Sequence, residues 1–384
     1  MNQTNKSKRK LRLGVVGGGP DSFIGPVHRI AARMSDHYDL TAAVLSSDPE
    51  KSVRYAADLG IDRAYADWQG MISQERNRED GVEVIAVMTP NDTHYPIAMA
   101  ALDADMHVIS DKPLCIELED ALDLVKKTQS TGKVLCVTYN YSAYPMVRQA
   151  EAMVRKGDIG EIRQVHLQYI QGYLADSTDE PGWRGDPIKG GPSLVTCDIA
   201  THAYHLGCYV TGLEVEELMA DIGTSMPGRT IDDYMGCLLN FENGAKGSMW
   251  ITNAAAGAEH GLSFKIFGEK GGLEWHQENP NELRHRRLDG FEQILTRRKD
   301  GQLYPEAERA MSLVIGHPEG YHDAFANLYK DVAETILARE KDPGFAGHDF
   351  PSVWDGAKGV NFIHAAIASS RNKAWENCRL SLTI

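Results

Sequence analysis

The stretch that decides the fold is Leu11-Arg12-Leu13-Gly14-Val15-Val16-Gly17-Gly18-Gly19-Pro20-Asp21-Ser22-Phe23-Ile24-Gly25. Its first half is a short apolar run, which predicts a buried β-strand over Leu13–Val16. A glycine-rich turn follows directly, and a plausible helix begins at Pro26. Glycines let the backbone approach a phosphate group, and a helix N-terminus supplies free N–H groups for it. The order strand, glycine turn, helix therefore predicts the start of a parallel α/β domain that binds a dinucleotide.

Outward from this stretch, apolar runs alternate with helical patterns as far as about Asn140. Such alternation predicts βαβ units, and hence a doubly wound parallel sheet with helices on both faces. We therefore expect an α/β fold with a Rossmann dinucleotide-binding domain over residues 11–140. The predicted strands are Leu13–Val16, Leu40–Leu45, Val82–Met88, His107–Ile109 and Val134–Thr138, and the clearest helices are Ile97–Leu102 and Glu119–Thr128.

Beyond about Ser142 strand patterns follow one another with only turns between them. We expect residues 141–384 to form an α+β domain with a large, mostly antiparallel open sheet, which binds the substrate and mediates oligomerisation. Asn279–Pro305 is polar and rich in arginine, so it predicts exposed hairpins or loops. The predicted strands are Ile162–Ile170, Val215–Ile222, Met235–Phe241, Ala245–Thr252, Leu262–Phe267 and Gly272–His276, and the predicted helices are Tyr144–Lys156, Ser193–Val210, Tyr321–Glu340 and Ala357–Ser370.

Composition limits the classes of function. The chain has 384 residues, and 40 Lys and Arg against 54 Asp and Glu give a net charge of −14. A field of this sign repels nucleic acid and anionic membrane surfaces, so neither is an expected partner. No apolar run reaches the roughly 18 residues of a membrane span, and the basic start leads into a strand, so we expect a cytoplasmic protein. The 6 cysteines and 14 histidines show no spacing typical of a zinc site, so no metal is expected.

The glycine turn only partly matches the dinucleotide fingerprint. Gly17 and Gly19 fit Gly-x-Gly, whereas the third glycine of Gly-x-Gly-x-x-Gly falls at Gly25 only with an insertion. An ordinary tight β–α turn is the alternative interpretation. The position after the first strand of a βαβ series favours the dinucleotide.

The end of the second strand bears on the choice of cofactor. An acidic residue there would hydrogen-bond the ribose 2′-hydroxyl and favour NAD over NADP, but Ser46 occupies that place. Asp48 follows two residues later, where it also suits a helix N-cap, and Lys51 is within reach of a 2′-phosphate. We expect NAD to be slightly preferred, because Asp48 can approach the ribose if the loop bends, and NADP stays open.

Two polar turns follow later strands at their carboxyl ends: Thr89-Pro90-Asn91 with His94, and Asp111-Lys112-Pro113. Ligands bind at this edge of an open parallel sheet, so Lys112 is expected over a nicotinamide ring. The alternative is a solvated surface lysine, which the turn disfavours because Pro113 fixes the local backbone.

The predicted helix Ser193–Val210 carries a second chemical pair. Asp198 and His202 lie at i and i+4, on one face. An imidazole, with an unperturbed pKa of about 6.5, takes a proton near neutral pH, and a nearby carboxylate can orient it or bind substrate. Taken alone, such a pair is more often a surface ion pair or a hydrogen-bonded core histidine.

These motifs occur in order along the chain, and together they resemble the Gfo/Idh/MocA oxidoreductase family over nearly the whole length. The resemblance implies that the lysine of a Glu-Lys-Pro motif and an Asp-x-x-x-His pair form the catalytic group, here Lys112, Asp198 and His202; Asp111 replaces the usual Glu. It also implies that Trp183–Arg184 and the loop 139–144 face the substrate and that His317–His322 closes over it. The expected cofactor-binding residues are Gly17, Gly19, Ser22, Phe23, Ile24, Ser46, Ser47, Lys51, Thr89, Pro90, Asn91, His94, Asp111, Lys112 and Asn140, and the expected substrate-binding residues are Tyr139, Trp183, Arg184, Asp198, His202 and Tyr321.

Within this family the chain most resembles members that act on inositols, hexoses or glycosides. We expect an NAD(P)-dependent oxidoreductase that passes hydride between a nicotinamide and a secondary hydroxyl of a sugar, glycoside or cyclitol. Neutral His202 would remove the hydroxyl proton, Lys112 would stabilise the developing alkoxide, and Asp198 would hold the substrate or the histidine. The alternatives are a redox-assisted NAD-dependent glycosidase and a non-catalytic dinucleotide sensor.

Two predicted strands also bear on assembly. Met235–Phe241 and Gly247–Thr252 carry apolar side chains on both faces, which is unusual for a sheet that is half exposed to water. An apolar patch facing solvent normally marks an interface. We therefore expect a homodimer or homotetramer built by packing of the sheet faces, with the closed symmetry usual for soluble oligomers.

Overall fold

The computed structural model describes residues 9–298 and 303–381. Its N-terminal part is a six-stranded parallel sheet in the order β3-β2-β1-β4-β5-β6. The strand order reverses beside β1, so the carboxyl ends of β1 and β4 border a crevice in which ligands bind in such sheets. The elements are β1 Leu11–Gly17, α1 Ile24–Ser35, β2 Tyr38–Val44, α2 Pro49–Asp58, β3 Arg63–Ala64, α3 Trp68–Glu75, β4 Val84–Met88, α4 His94–Asp103, β5 His107–Ser110, α5 Leu118–Thr131 and β6 Leu135–Val137.

The glycine turn between β1 and α1 is closely packed. Gly17 has φ +83°, a conformation that side chains disfavour. A Cβ atom on Gly25 would lie 1.9 Å from the carbonyl oxygen of Gly18. Gly25 thus makes the close helix–strand contact that the third glycine provides in the dinucleotide fingerprint, with five residues between it and Gly19 instead of two.

The C-terminal part contains a nine-stranded sheet in the order β14-β13-β12-β11-β7-β10-β9-β8-β15. Only β7 and β10 pair in parallel among these strands; the other pairs are antiparallel. The predicted fold class is therefore confirmed, whereas the boundary at residues 140/141 stays a prediction. The elements are α6 Pro145–Arg155, β7 Ile162–Gln171, α7 Thr201–Thr211, β8 Val215–Gly223, β9 Tyr234–Phe241, β10 Lys246–Thr252, β11 His260–Gly268, β12 Gly271–His276, β13 Glu282–Arg287, β14 Glu292–Thr296, α8 Pro305–Arg309, α9 Tyr321–Arg339, α10 Val353–Asn372 and β15 Glu376–Asn377.

Three local features differ from the sequence prediction or extend it. The strand β3, only two residues long, has no pattern that could predict it. The predicted helix Ser193–Val210 is helical from residue 194, but it contains a π-helical turn over Thr196–Ala200 before it continues as α7. The polar segment after Asn279 forms the antiparallel pair β13 and β14, which extends the sheet; residues 299–302 of that segment lie outside the described residues.

Helices from the C-terminal part complete the core of the N-terminal sheet. Helix α9 packs against α1, and α10 packs against α5. Phe325, Tyr329 and Val332 of α9 are buried in one cluster with Val27 and Ala31 of α1. Helices of the C-terminal part therefore also cover the first sheet. This packing holds the crevice of the first sheet next to the start of α7.

Two kinds of feature are absent from the described part of the chain. In residues 9–298 and 303–381, no helix combines the length and the apolar character needed to cross a membrane. In the same residues, no three His, Cys, Asp or Glu side chains are grouped so that they could hold a metal ion.

Candidate active site

A cavity of about 820 Å³ lies between the two sheets, at the carboxyl ends of β1, β2, β4 and β5. Both parts of the chain contribute to its wall. Of the residues predicted from the sequence, those that line it are Gly17, Gly19, Ser22, Phe23, Ile24, Ser46, Ser47, Lys51, Thr89, Pro90, Asn91, Asp111, Lys112, Trp183, Arg184 and Asp198.

Lys112 and Asp198 join the two sides of this cavity. Lys112 follows β5, and its Nζ donates to Asp198 Oδ1 at 2.9 Å and also to the Asp198 carbonyl oxygen. Arg184 Nε donates to the same Oδ1 at 3.2 Å. An ammonium group has three N–H donors, so one donor of Lys112 is left for a ligand.

The charges of this cluster set the protonation of its members. Burial alone would raise the pKa of Asp198, but the charges of Lys112 and Arg184 outweigh it and hold that pKa well below its usual value. Burial lowers the pKa of His202 well below its ordinary value, and the charge of Lys112 lowers it further. At neutral pH, Asp198 is therefore ionised and His202 is neutral, so His202 is able to accept a proton.

His202 lies one turn after Asp198 and is enclosed by aromatic rings. The centroid of the Tyr141 ring is 5.0 Å from that of His202, and the Tyr139 centroid is 5.7 Å from it; both rings stand nearly perpendicular to the imidazole. The ring centroid of Tyr169 lies 6.3 Å from that of His202. His202 is buried, with 7% of its surface exposed.

The turn that carries Lys112 is anchored by its neighbours. Asp111 Oδ1 accepts hydrogen bonds from the Lys112 backbone N–H at 3.0 Å and from Thr138 Oγ1 at 2.7 Å. The Lys112–Pro113 peptide bond is cis. Asp111 occupies the position of the Glu in the Glu-Lys-Pro motif. Its carboxylate connects the turn to Thr138, the residue after β6.

The glycine-turn end of the cavity has the donors that a dinucleotide needs. The N-cap residue of helix α1, Phe23, makes no side-chain hydrogen bond, and the first turn has no acidic residue. Ser22 Oγ accepts the Gly25 N–H at 3.3 Å, and the other N–H groups and the helix dipole are available to an anion. The ribose end is lined by Ser46, Ser47 and Lys51. Asp48 does not line the cavity; its carboxylate accepts the Lys51 backbone N–H at 3.0 Å and caps α2. These residues fit a pyrophosphate, and the acid that the sequence prediction placed near the ribose, Asp48, is not part of the wall.

Five predicted residues do not line the cavity. His202 lies directly behind Asp198, and Tyr321, at the start of α9, is close enough to Asp111 and Asp198 for their charges to raise its pKa, although burial is the larger cause. Tyr139 is buried, stacked on His205 at 4.4 Å, and its hydroxyl bonds to Thr201. It therefore supports the site from behind.

The other two are also buried. Both ring nitrogens of His94 face carbonyl oxygens, of Pro113 at 2.8 Å and Thr89 at 2.9 Å, so this residue links the turns after β4 and β5. Asn140 is fully buried, and its amide nitrogen and oxygen have no hydrogen-bond partner among the described residues. His94 and Asn140 are thus placed behind the cavity wall.

Sequence reasoning missed several residues of the site. Tyr173, just after β7, donates its hydroxyl to Asp198 Oδ2 at 3.3 Å and is 40% exposed. Tyr55 on α2 and Asp21 in the glycine turn line the ribose end and bond to each other at 3.0 Å. Lys189 lines the opposite end. The sequence signal for Tyr173 was an aromatic residue that follows Gly172 at the end of a strand. This pattern is also common in ordinary loops, so it does not identify a site residue.

The fold and the site define a class of protein: a dinucleotide-binding oxidoreductase with a cavity whose wall comes from both parts of the chain. Residues 11–139 match the family described as "Oxidoreductase family, NAD-binding Rossmann fold", and residues 147–274 match the "GFO/IDH/MocA C-terminal domain". The chain belongs to the GFO/IDH/MocA oxidoreductase family, and it is an NAD-binding enzyme with dehydrogenase relatives. The predicted family and class of enzyme are confirmed.

Relatives match along almost the entire chain. The uncharacterized oxidoreductase YfiI of Bacillus subtilis is 34% identical, over 96% of this chain and 96% of that protein. Levoglucosan dehydrogenase of Pseudarthrobacter phenanthrenivorans is 26% identical, over 96% of this chain and 98% of that protein. The crystal structure of an inositol dehydrogenase homolog from Azotobacter vinelandii, complexed with NADH and myo-inositol, is 33% identical and has a TM-score of 0.91, over 98% of this chain and 100% of that one.

Proposed function

We propose that this enzyme oxidises a secondary hydroxyl of a cyclitol, or of a sugar of similar size, with NAD as the hydride acceptor. The observation that carries the proposal is the Lys112–Asp198 pair, 2.9 Å apart, with neutral His202 beside it. A cation and a carboxylate in the cavity wall, with a neutral imidazole directly behind them, are the groups that the oxidation of an alcohol needs.

The residues have distinct tasks in this proposal. The hydroxyl oxygen of the substrate accepts the free N–H of Lys112, so that the ammonium charge stabilises the alkoxide as it develops. His202 takes the hydroxyl proton. The carbinol C–H bond breaks as its hydrogen leaves with the electron pair, and NAD, when bound, supplies the nicotinamide carbon that receives this hydride. The products are a ketone, reduced cofactor and a proton on His202.

Asp198 positions Lys112 and does not act as a base. Its carboxylate is ionised and bound to Lys112, Arg184 and Tyr173. Removing any of these partners would leave a buried charge with less compensation. Trp183, with the Arg184 guanidinium 4.7 Å from its ring centroid, provides an aromatic face next to this cluster on which a carbohydrate ring can lie.

Two of the three named relatives support a polyhydroxylated ring as the substrate. The Azotobacter protein was crystallised with myo-inositol, and the Pseudarthrobacter protein is a levoglucosan dehydrogenase. The first is the more similar of the two in sequence, so a cyclitol is the first choice here.

The test is turnover of a substrate panel by the purified enzyme with NAD. Inositol isomers, hexoses and glycosides are compared by formation of reduced nicotinamide and by product analysis. Stoichiometric reduced cofactor with an intact carbon skeleton supports the proposal. Cleavage of a glycoside without net reduction of NAD would instead support the redox-assisted glycosidase. No reaction with any member of the panel, in enzyme that binds NADH, would contradict the proposal.

We also propose that two copies of the chain pack through the outer face of the nine-stranded sheet. Leu238 and Trp250 stand on this face, each 53% exposed, and they line a shallow depression of about 760 Å³ together with Met219. The same depression carries Asp221 and Lys373, which pair with each other at 3.4 Å within the chain, so the proposed contact depends on its apolar side chains. The cytoplasmic location stays a prediction.

A further inference from the structure

The hydrogen bonds around Asp198 do not determine which ring nitrogen of His202 carries the proton. A histidine base must carry its proton on one ring nitrogen and offer a lone pair on the other, and a carboxylate commonly makes that choice. Here Asp198 Oδ1 accepts from Lys112 and Arg184, and Oδ2 accepts from Tyr173. Among the hydrogen bonds of the described residues, none joins Asp198 to His202.

The buried side of His202 offers aromatic rings instead of an acceptor oxygen. Nδ1 is buried and has no nitrogen or oxygen partner within the described ranges. The ring of Tyr141 lies nearest, with its centroid 5.0 Å from the imidazole centroid and its plane at 83° to it. At this distance and angle the edge of one ring meets the face of the other, and an N–H group on that edge can point at the electron-rich face.

We propose that Tyr141 is a positioning residue that selects the Nδ1–H tautomer of His202 and leaves the lone pair of Nε2 for the substrate. The face of an aromatic ring is electron-rich. An Nδ1–H directed at it is attracted, whereas an Nδ1 lone pair in the same place is repelled. Both effects favour the same tautomer. The proposal rests on the proposed role of His202 as the proton acceptor.

The ring of Tyr141 is held in place for this task. Its hydroxyl bonds to the hydroxyl of Tyr169 at 2.6 Å, and Tyr169 is itself buried against His202. On the far side, Tyr144 stacks on Tyr141 at 6.3 Å without contacting His202. The chain therefore offers a matched control, since Tyr144 is a buried tyrosine of the same cluster one ring further away.

The test is the ring ¹⁵N spectrum of histidine-labelled protein, in which the two nitrogens of a neutral imidazole have different shifts for each tautomer. The signals of His202 are identified by their loss in His202→Gln. We expect Nδ1 to be protonated in the unaltered protein at neutral pH. In Tyr141→Leu the two shifts should move toward each other as the tautomers mix, whereas Tyr144→Leu should leave them in place.

A graded series avoids dependence on a variant that could fail to fold. Tyr141→Phe keeps the ring, and a fluorinated phenylalanine at position 141 keeps its shape but withdraws electron density from its face. The Nδ1–H population should fall in the order Tyr, Phe, fluorinated Phe. An Nε2–H tautomer in the unaltered protein, or a series with no trend, would overturn the proposal. Neither result depends on turnover. The proposed function is tested separately, by the substrate panel.

Discussion

Lys112 and Asp198 form an ion pair of 2.9 Å between the turn after β5 and the π-helical turn before α7, and thereby connect the wall of the cavity that the N-terminal part supplies to the wall that the C-terminal part supplies. Neither residue is more than 16% exposed in its side chain. A pair this well shielded is far less screened by salt than a surface pair. The two residues should therefore act as one unit in catalysis.

The first prediction concerns this unit. Lys112→Ala and Asp198→Asn should each lower kcat by roughly 10²- to 10⁴-fold, the range for loss of an acid–base or electrostatic group. The double variant should be no worse than the poorer single variant by more than about tenfold, because groups that act together are not additive. Steady-state kinetics with the substrate found in the panel gives these values.

The control for this experiment is Lys126→Ala, which removes an exposed lysine paired with Asp123 at 3.3 Å on α5. It should leave kcat unchanged. NADH binding should also persist in the Lys112 and Asp198 variants. If their effects on kcat simply multiplied in the double variant, the two residues would contribute independently, contrary to the structure.

The second prediction concerns the pH dependence of alcohol oxidation. Because burial and the charge of Lys112 lower the pKa of His202, its neutral form persists to a pH below the usual value of about 6.5. Asp198 opposes this shift only in part. The acid limb of kcat/KM should therefore lie clearly below pH 6.5, with no loss of rate between pH 7 and that value. An acid limb of kcat/KM at or above about pH 6.5 would contradict the lowered pKa of His202.

The third prediction concerns the ribose end of the cavity. Lys51 lines it, whereas the carboxylate of Asp48 caps α2 and does not line the cavity. Lys51→Ala should weaken NADPH binding about fivefold, or ~1 kcal/mol, as expected for an exposed ion pair, and leave NADH binding within about twofold. Fluorescence titration of both cofactors measures this. Arg54→Ala, on the same helix with its guanidinium over Tyr55, is the control. Equal losses for both cofactors would exclude a contact between Lys51 and the 2′-phosphate.

The fourth prediction concerns assembly. Light scattering should give a multiple of the chain mass of 42.4 kDa. Trp250→Glu should shift the protein toward the single-chain mass, because a two-fold interface places the new carboxylate near its own copy. Leu288→Glu is the control, since Leu288 is 81% exposed in the β13–β14 turn and does not line the depression. A single-chain mass for the unaltered protein at micromolar concentration would contradict the proposed interface.

Sequence patterns predicted the parts of this molecule that depend on local periodicity. The strands before Gly17, Thr89 and Asp111 are short buried runs, and the turns after parallel strands must meet at one edge, so the cofactor side of the cavity follows from order alone. The two-residue β3 could not be found in this way. The sequence predicted a large, mostly antiparallel sheet in the C-terminal part. It could not predict the parallel pair of β7 with β10, because that pairing depends on contacts between strands far apart in the chain.

The roles of individual side chains were less predictable. Helical spacing placed Asp198 beside His202, but the partners of Asp198 come from distant loops, as Tyr173 and Arg184 show. His94 follows a strand just as Lys112 does, yet both its ring nitrogens face backbone carbonyls. Such differences arise from tertiary packing, which spacing along the chain does not specify.

The packing of α9 on α1 has a consequence for the way the protein is made. The first sheet is translated long before α9, whose Phe325, Tyr329 and Val332 cover the apolar side of α1. At about 5 to 20 residues per second, roughly 10 to 40 s separate the synthesis of residue 140 from that of residue 339. During this interval the nascent Rossmann half carries an uncovered apolar surface on the ribosome, and its maturation must await the emergence of a helix encoded nearly 200 codons downstream.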